Sequence, residues 1–163
     1  MMFKPMRRIR QQLSKEECQK ILQNQTVGTL ALAAEGEYPY AVPLNYVYYN
    51  ERIYFHCAVS GHKLDIIAKQ NKVSFCIIDK DTIVPEKYTT YFRSVIVFGR
   101  IEKVENDEEK MAALKELAYK YVSQNNDEAH LKEINGAWNR TCVLALTVDH
   151  LTGKEAIELV AQK

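Results

Sequence analysis

Tyr54-Phe55-His56-Cys57-Ala58-Val59-Ser60-Gly61-His62-Lys63-Leu64 is the stretch on which the fold turns. Over residues 52–58 it alternates with the period of a strand. Ile53, Phe55 and Cys57 fall on one side, and Tyr54, His56 and Ala58 on the other. A turn of small residues follows. Residues 61–70 then carry Leu64, Ile67 and Ala68 at helical spacing. His62 and Lys63 therefore sit in the first turn of a helix. Free amides at a helix N-terminus favour an anion there, and the positive dipole end disfavours cations. Two basic side chains at that place make sense if a phosphate neutralises them. Spacing alone favours the plainer alternative, a solvated histidine and lysine.

Working outward, residues 40–49 also alternate, with Tyr40, Val42, Leu44, Tyr46 and Tyr48 on one face. Pro43 removes one ladder donor, which predicts an edge strand or a bulge. Asn50-Glu51 suits a tight turn, so residues 40–58 read as a hairpin. Further towards the N-terminus, Ser14-Lys15-Glu16-Glu17 is a capping box ahead of the apolar stripe Cys18, Ile21 and Leu22. Residues 26–34 read as a strand ending in a Glu35-Gly36 turn. In the other direction, residues 73–78 read as a strand. Residues 79–91, polar and holding Pro85, read as a long loop. Residues 94–104 read as a β-branched strand containing Gly99. A helix should open at Asp107 with the stripe Met111, Leu114, Ala118 and Tyr121. A loop is expected over residues 123–127 and a short helix to about Ile134. Residues 141–148 read as the last long strand, with Thr152-Gly153-Lys154 as a turn.

The order is helix, three strands, helix, two strands, helix, strand. Strict β-α-β alternation is absent, which argues against a doubly wound sheet. Hairpin-linked strands with a few helices suit a small antiparallel barrel. The chain has 163 residues, a length that fits one domain spanning 1–163. The 22 basic and 21 acidic side chains nearly cancel, so nothing electrostatic points to nucleic acid or a membrane surface. The apolar runs are far shorter than a membrane span. Residues 1–10 are charged without an apolar stretch behind them, so a cytoplasmic location is expected. Cys18, Cys57, Cys76 and Cys142 lack the close spacing of a zinc site. They read as reduced and mostly buried, and no metal is expected.

Three further features bear on chemistry. Pro39-Tyr40-Ala41-Val42-Pro43-Leu44-Asn45-Tyr46 leaves a carbonyl without its ladder partner and adds the Asn45 amide. Such a surface can read the polar edge of a flat ring, although an edge strand explains it equally well. Tyr91-Phe92-Arg93-Ser94-Val95-Ile96-Val97-Phe98-Gly99 is a buried strand whose start, at Arg93 and Ser94, is placed to reach a phosphate. Together with Val27-Gly28-Thr29-Leu30-Ala31 and Leu151-Thr152-Gly153-Lys154, these segments resemble the pyridoxamine 5′-phosphate oxidase-like superfamily, and its nitroimidazole-resistance branch in particular.

That resemblance implies a mainly β chain with helices, a six-stranded antiparallel Greek-key split barrel. It also implies a homodimer with FMN at the subunit interface. By analogy Val42, Pro43, Leu44, Asn45 and Tyr46 would lie along the isoalloxazine and ribityl chain. His56, Cys57 and Ala58 would line the same groove. His62 and Lys63 would hold the phosphate. Ser94, with Val95 beside it, would reach the FMN from the partner subunit. His56 would be the catalytic residue, relaying protons beside the flavin; a structural histidine is the alternative. Two departures stand out. The Arg-rich, proline-ended C-terminus of the true oxidases is missing, which points away from oxidase activity. His62 also replaces the usual arginine, and a histidine makes a weaker, pH-dependent phosphate contact.

The function implied is an FMN-dependent reductase acting on a small aromatic substrate such as a 5-nitroimidazole. The flavin would carry the redox chemistry. No Gly-x-Gly-x-x-Gly fingerprint appears, so a nicotinamide donor would bind only in passing. The alternative is a non-enzymatic module binding FMN, or haem through His56 or His62.

Overall fold

The computed structural model describes residues 3–122 and 126–161. Part of the loop expected over residues 123–127 therefore lies outside the described residues. The chain opens with a short 3-10 turn, Ile9–Gln11, followed by α1, Lys15–Asn24. The Ser14 hydroxyl accepts from the Glu17 amide at 3.1 Å, and the Glu17 carboxylate accepts from the Ser14 amide at 2.8 Å. The capping box is thus formed in both directions.

The strands are β1 (Val27–Leu32), β2 (Tyr40–Asn45), β3 (Val47–Tyr49), β4 (Arg52–Ala58), β5 (Lys72–Val84), β6 (Thr89–Lys103) and β7 (Thr141–Glu155). The helices after α1 are α2 (His62–Lys69), α3 (Asp107–Tyr121), α4 (Asp127–Ala137) and α5 (Ile157–Val160). All pairings are antiparallel, in the order β2-β1-β5-β6-β7-β4-β3. The two edge strands, β2 and β3, are consecutive in the chain and separated only by Tyr46. One chain run therefore touches both edges, so the sheet must curl until its edges meet. β5, β6 and β7 follow one another in space, and β4 returns to lie beside β7, which is the Greek-key arrangement. The molecule is a split barrel. Among the described residues it has seven strands rather than six, because the expected strand over residues 40–49 changes partner at Tyr46.

Four expectations need correction. Residues 40–58 are not one hairpin: β3 pairs with β4, but β2 pairs with β1. Residues 79–91 are not a loop. They are the far halves of β5 and β6, an arm paired as far as Val84↔Thr89 and turned through Pro85–Lys87. The arm is largely exposed, so it shows none of the apolar alternation that reveals a half-buried strand. Thr152-Gly153-Lys154 is not a turn either but part of β7, paired with Ile96, Val95 and Ser94. Gly153 is needed because a Cβ there would lie 2.5 Å from the Cys18 sulfur. Lastly, α3 buries Ala113, Leu114 and Leu117; of the expected stripe Leu114 is buried with them and Met111 packs partly buried against them, while Ala118 and Tyr121 are not part of that cluster.

The core has two parts. Inside the barrel, Leu30, Phe55, Phe75, Val97 and Leu144 pack with Tyr46, Ile53 and Cys142. Outside it, α3 and α4 cover β3, β4 and β7 through Val47, Tyr54, Val143 and Ala145. Arg52 ties this cover down, contacting Glu102 and Glu109 at 2.6 Å each. Among the described residues no helix packs on the outer face of β2, β1, β5 and β6, where Phe3 rests against Phe98 with ring centroids 5.5 Å apart. Its rows run Pro43–Thr29–Cys76–Ile96 and Ala41–Ala31–Ser74–Phe98.

Candidate functional site

The site follows from the change of partner at Tyr46. β3 pairs with β4 only over Val47↔Tyr54, Tyr48↔Ile53 and Tyr49↔Arg52. Beyond Tyr54, β4 keeps β7 on one side and loses β3 on the other, because the chain has crossed to β1. Carried on, the β3–β4 register would set Asn45 across from His56 and Pro43 across from Ala58. The strands instead part there. A seam opens between β2 and the end of β4, flanked by backbone edges that have no strand partner among the described residues.

Tyr46 is anchored at the point of parting. The Tyr121 hydroxyl of α3 accepts from the Tyr46 amide at 3.0 Å. It also lies 2.8 Å from the Tyr46 carbonyl and 2.5 Å from that of Thr26, and its single proton serves one of them at a time. The Tyr46 ring is fully buried and meets Phe75 edge-on, with centroids 5.1 Å apart. Its side chain therefore stays in the core, leaving only backbone for a ligand. Lys120 lies over the same ring at 4.1 Å and donates to the Gln25 carbonyl at 2.5 Å. Those contacts favour the ammonium, but burial outweighs them and lowers its pKa to about 8.

At its far end the seam meets the N-terminus of α2. Gly61 takes φ 143°, a conformation open to glycine, and gives α2 no side-chain cap. The Leu64 and Asp65 amides bond back to the Gly61 carbonyl at 2.9 and 3.2 Å. The earlier amides of the first turn face outwards as helix-end donors. Tyr40, Cys57, Ala58, Ser60, Gly61, His62, Lys63 and Leu64 surround a cavity of about 190 Å³ here. The Tyr40 and His62 rings meet edge-on at 5.0 Å. Close by, the Lys69 ammonium lies 2.7 Å from the Glu37 carboxylate and holds it below its ordinary pKa.

The site residues expected from the sequence divide into groups. Val42, Pro43, Leu44 and Asn45 lie on β2, with Pro43 and Asn45 turned outwards and exposed. The Asn45 amide donates to the Thr26 carbonyl at 2.9 Å, bracing the strand it faces. His56, Cys57 and Ala58 end β4, with His56 exposed and Cys57 turned towards the barrel interior. His62 and Lys63 open α2. Of these, Cys57, Ala58, His62 and Lys63 line one cavity together with Tyr40 of β2, whereas Val42 to Asn45 and His56 lie outside its wall.

Ser94 and Val95 do not join them. They lie on β6, opposite Lys154 and Gly153, with Val95 fully buried. Arg93, read from the sequence as placed at a strand start that could reach a phosphate, is engaged in ion pairs. Its guanidinium contacts Glu155 at 3.1 Å and Asp79 at 3.2 Å. Sequence reading missed the Tyr121 anchor and the placement of Cys142 opposite Cys57. Neither leaves a local signal, because each is created by strand register. No helix among the described residues is long and apolar enough to cross a membrane.

The chain is thus of the split-barrel class, and its seam ends at a helix N-terminus without a side-chain cap, the kind of place where backbone amides favour an anion. Within that class the assignment is specific. The sequence profile described as pyridoxamine 5′-phosphate oxidase matches residues 14–155, and the chain belongs to that family. No curated protein sequence matches it. Among solved structures, a candidate 5-nitroimidazole antibiotic resistance protein of Bacteroides thetaiotaomicron is 23% identical with a TM-score of 0.73, over 88% of this chain and 86% of that one. A conserved hypothetical protein of Mycobacterium tuberculosis is 19% identical with a TM-score of 0.81, over 95% and 92%. An FAD and heme binding protein of Mycobacterium smegmatis is 19% identical with a TM-score of 0.70, over 90% and 74%. At such identities the likeness is one of fold.

Proposed function

We propose that this chain binds FMN along the seam and acts as a flavin-dependent reductase of small aromatic compounds. The observation that carries the reading is the end of the seam. Uncapped amides, His62 and Lys63 converge there on a cavity of about 190 Å³, the size of a phosphate group and its first carbons. A whole flavin needs more cover, since ligand sites commonly enclose about 300–1,000 Å³. The exposed run Pro43 to Asn45 would support the flat ring along the open seam, and a second subunit would close it from outside.

The bare outer face of β2, β1, β5 and β6 supports that second part. It shows Val27 at 48%, Ile78 at 63% and Ile96 at 37% exposure. Apolar side chains gathered on one open face mark an association surface. β2 borders both this face and the seam, so a homodimer formed here would bring the partner subunit over the cofactor. Ser94 alternates with the buried Val95 and so points to this same face. It would reach across to the flavin of the other subunit.

When bound, the flavin supplies hydride and electron transfer. The protein's own tasks are to hold the phosphate at Lys63 and His62, fix the ring against β2 and exclude water through the dimer. The exposed imidazole of His56, beside the seam, would accept or return a proton at a ring nitrogen. The electron donor is taken to be a nicotinamide, and the acceptor a nitro-aromatic such as a 5-nitroimidazole. The fold shared with the Mycobacterium smegmatis FAD and heme binding protein makes FAD and haem the rivals to exclude.

Titrating FMN, FAD and haem side by side, followed by turnover with NADH or NADPH and a 5-nitroimidazole, tests the reading. Preference for FMN and repeated turnover support it. Binding without turnover leaves a carrier or sensor. A Soret band with no flavin uptake removes it. His56→Ala should keep FMN affinity and slow turnover, whereas equal loss of both would reassign His56 to holding the cofactor.

A further inference from the structure

Cys57 and Cys142 face each other directly across β4 and β7. Opposed residues of an antiparallel pair point to the same face, with Cα atoms about 4.5–5.5 Å apart. A disulfide joins Cα atoms about 4.4–6.8 Å apart, so the strand register already brings the two thiols near bridging geometry. The Cys142 thiol points to the Val143 carbonyl at 3.8 Å, Cys57 is close enough to act on its ionisation, and both side chains pack against the barrel core. The other two cysteines are placed differently. Cys18 lies under Gly153, and Cys76 sits between Thr29 and Ile96 on the outer face.

The two thiols differ in access. Cys142 is 2% exposed, while Cys57 is half-buried and lines the cavity with Ser60, His62 and Lys63. We propose that Cys57 and Cys142 form a dithiol that a hydroperoxide oxidises to a reversible disulfide in the wall of the anion cavity. Burial first, then the neighbouring Cys57, pushes the Cys142 thiol up to about 11. Cys142 therefore waits as a thiol while Cys57 meets the oxidant.

The chemistry closes in two steps. The Cys57 sulfur attacks the peroxide; an S–O bond forms, the O–O bond breaks, and the alkoxide or hydroxide leaves with the thiol proton. The Cys142 sulfur then displaces hydroxide from the Cys57 sulfenic acid. An S–S bond forms, the S–O bond breaks, and the Cys142 proton leaves in water. Two electrons pass from the dithiol to the peroxide, and an external dithiol reverses the change. None of this requires a flavin.

The test treats the purified full chain with stoichiometric hydrogen peroxide, then counts thiols and maps tryptic peptides by mass. The expected result is loss of two of the four thiols, a linked Cys57–Cys142 peptide, and full recovery with dithiothreitol. In Cys142→Ser, checked for folding by circular dichroism, dimedone should trap a sulfenic acid on Cys57 that wild type does not retain. Sulfinic acid on Cys57 with Cys142 still free in wild type would overturn the proposal. So would an unreactive Cys57, or a bridge to Cys18, Cys76 or another molecule.

Discussion

Lys63 and Lys120 are both lysines near the seam, placed to opposite effect. Lys63 lines the cavity at the start of α2, where a cation is unfavourable until an anion arrives. Lys63→Ala should therefore weaken FMN binding by roughly 1.5–3 kcal/mol, the range for a hydrogen bond to a charged group. Fluorescence titration measures this, and unchanged affinity would contradict the phosphate assignment. Lys120 instead bears on stability. Its pKa is lowered from 10.5 to about 8 by burial, so between those values the unfolded chain binds more protons than the folded one. The penalty is complete below about pH 8, and folding stability rises as pH climbs towards 10.5. Lys120→Met removes that penalty. Its stability relative to wild type should be highest at neutral pH and should fall steadily above pH 8. Urea unfolding at several pH values checks this, and a constant difference would show that Lys120 keeps an ordinary pKa.

At the scale of elements, what the sequence revealed depended on whether burial alternates. β4 was legible to the residue, since Arg52–Ala58 has one face in the barrel core and the other partly under α3. α1 was legible through its capping box, and the turn at Asn50-Glu51 through its residue types; both residues take positive φ. The arm of β5 and β6 was hidden because most of its side chains meet water. The division of residues 40–49 was hidden for another reason: Tyr46 continues the alternation while the strand changes partner. The basic pair at residues 62 and 63 was therefore visible, but the seam leading to it was not. The outer face makes its own prediction. Ile96 sits in the middle of the bare sheet, in the row Pro43–Thr29–Cys76–Ile96. Ile96→Asp should turn a dimer into a monomer by light scattering without unfolding the barrel. A variant still fully dimeric would place the subunit contact elsewhere.

For the whole molecule, the same curl that closes the barrel also creates the site. One chain run touches both edges of the sheet, so the edges meet near Tyr46 and part beyond it. The gap ends at a helix whose first amides have no side-chain cap, and the outer face lies alongside. On the proposed reading cofactor and dimer are coupled: a second subunit would complete a groove that one subunit leaves open. Family membership agrees with this arrangement, since the matched residues 14–155 contain every strand. The most direct measurement is a visible absorption spectrum of the purified protein, taken before and after adding excess FMN and desalting. The account predicts a retained flavin band, with one FMN per subunit of a dimer. Protein that emerges colourless, with no flavin carried through, would contradict it and leave a split barrel whose seam serves another ligand.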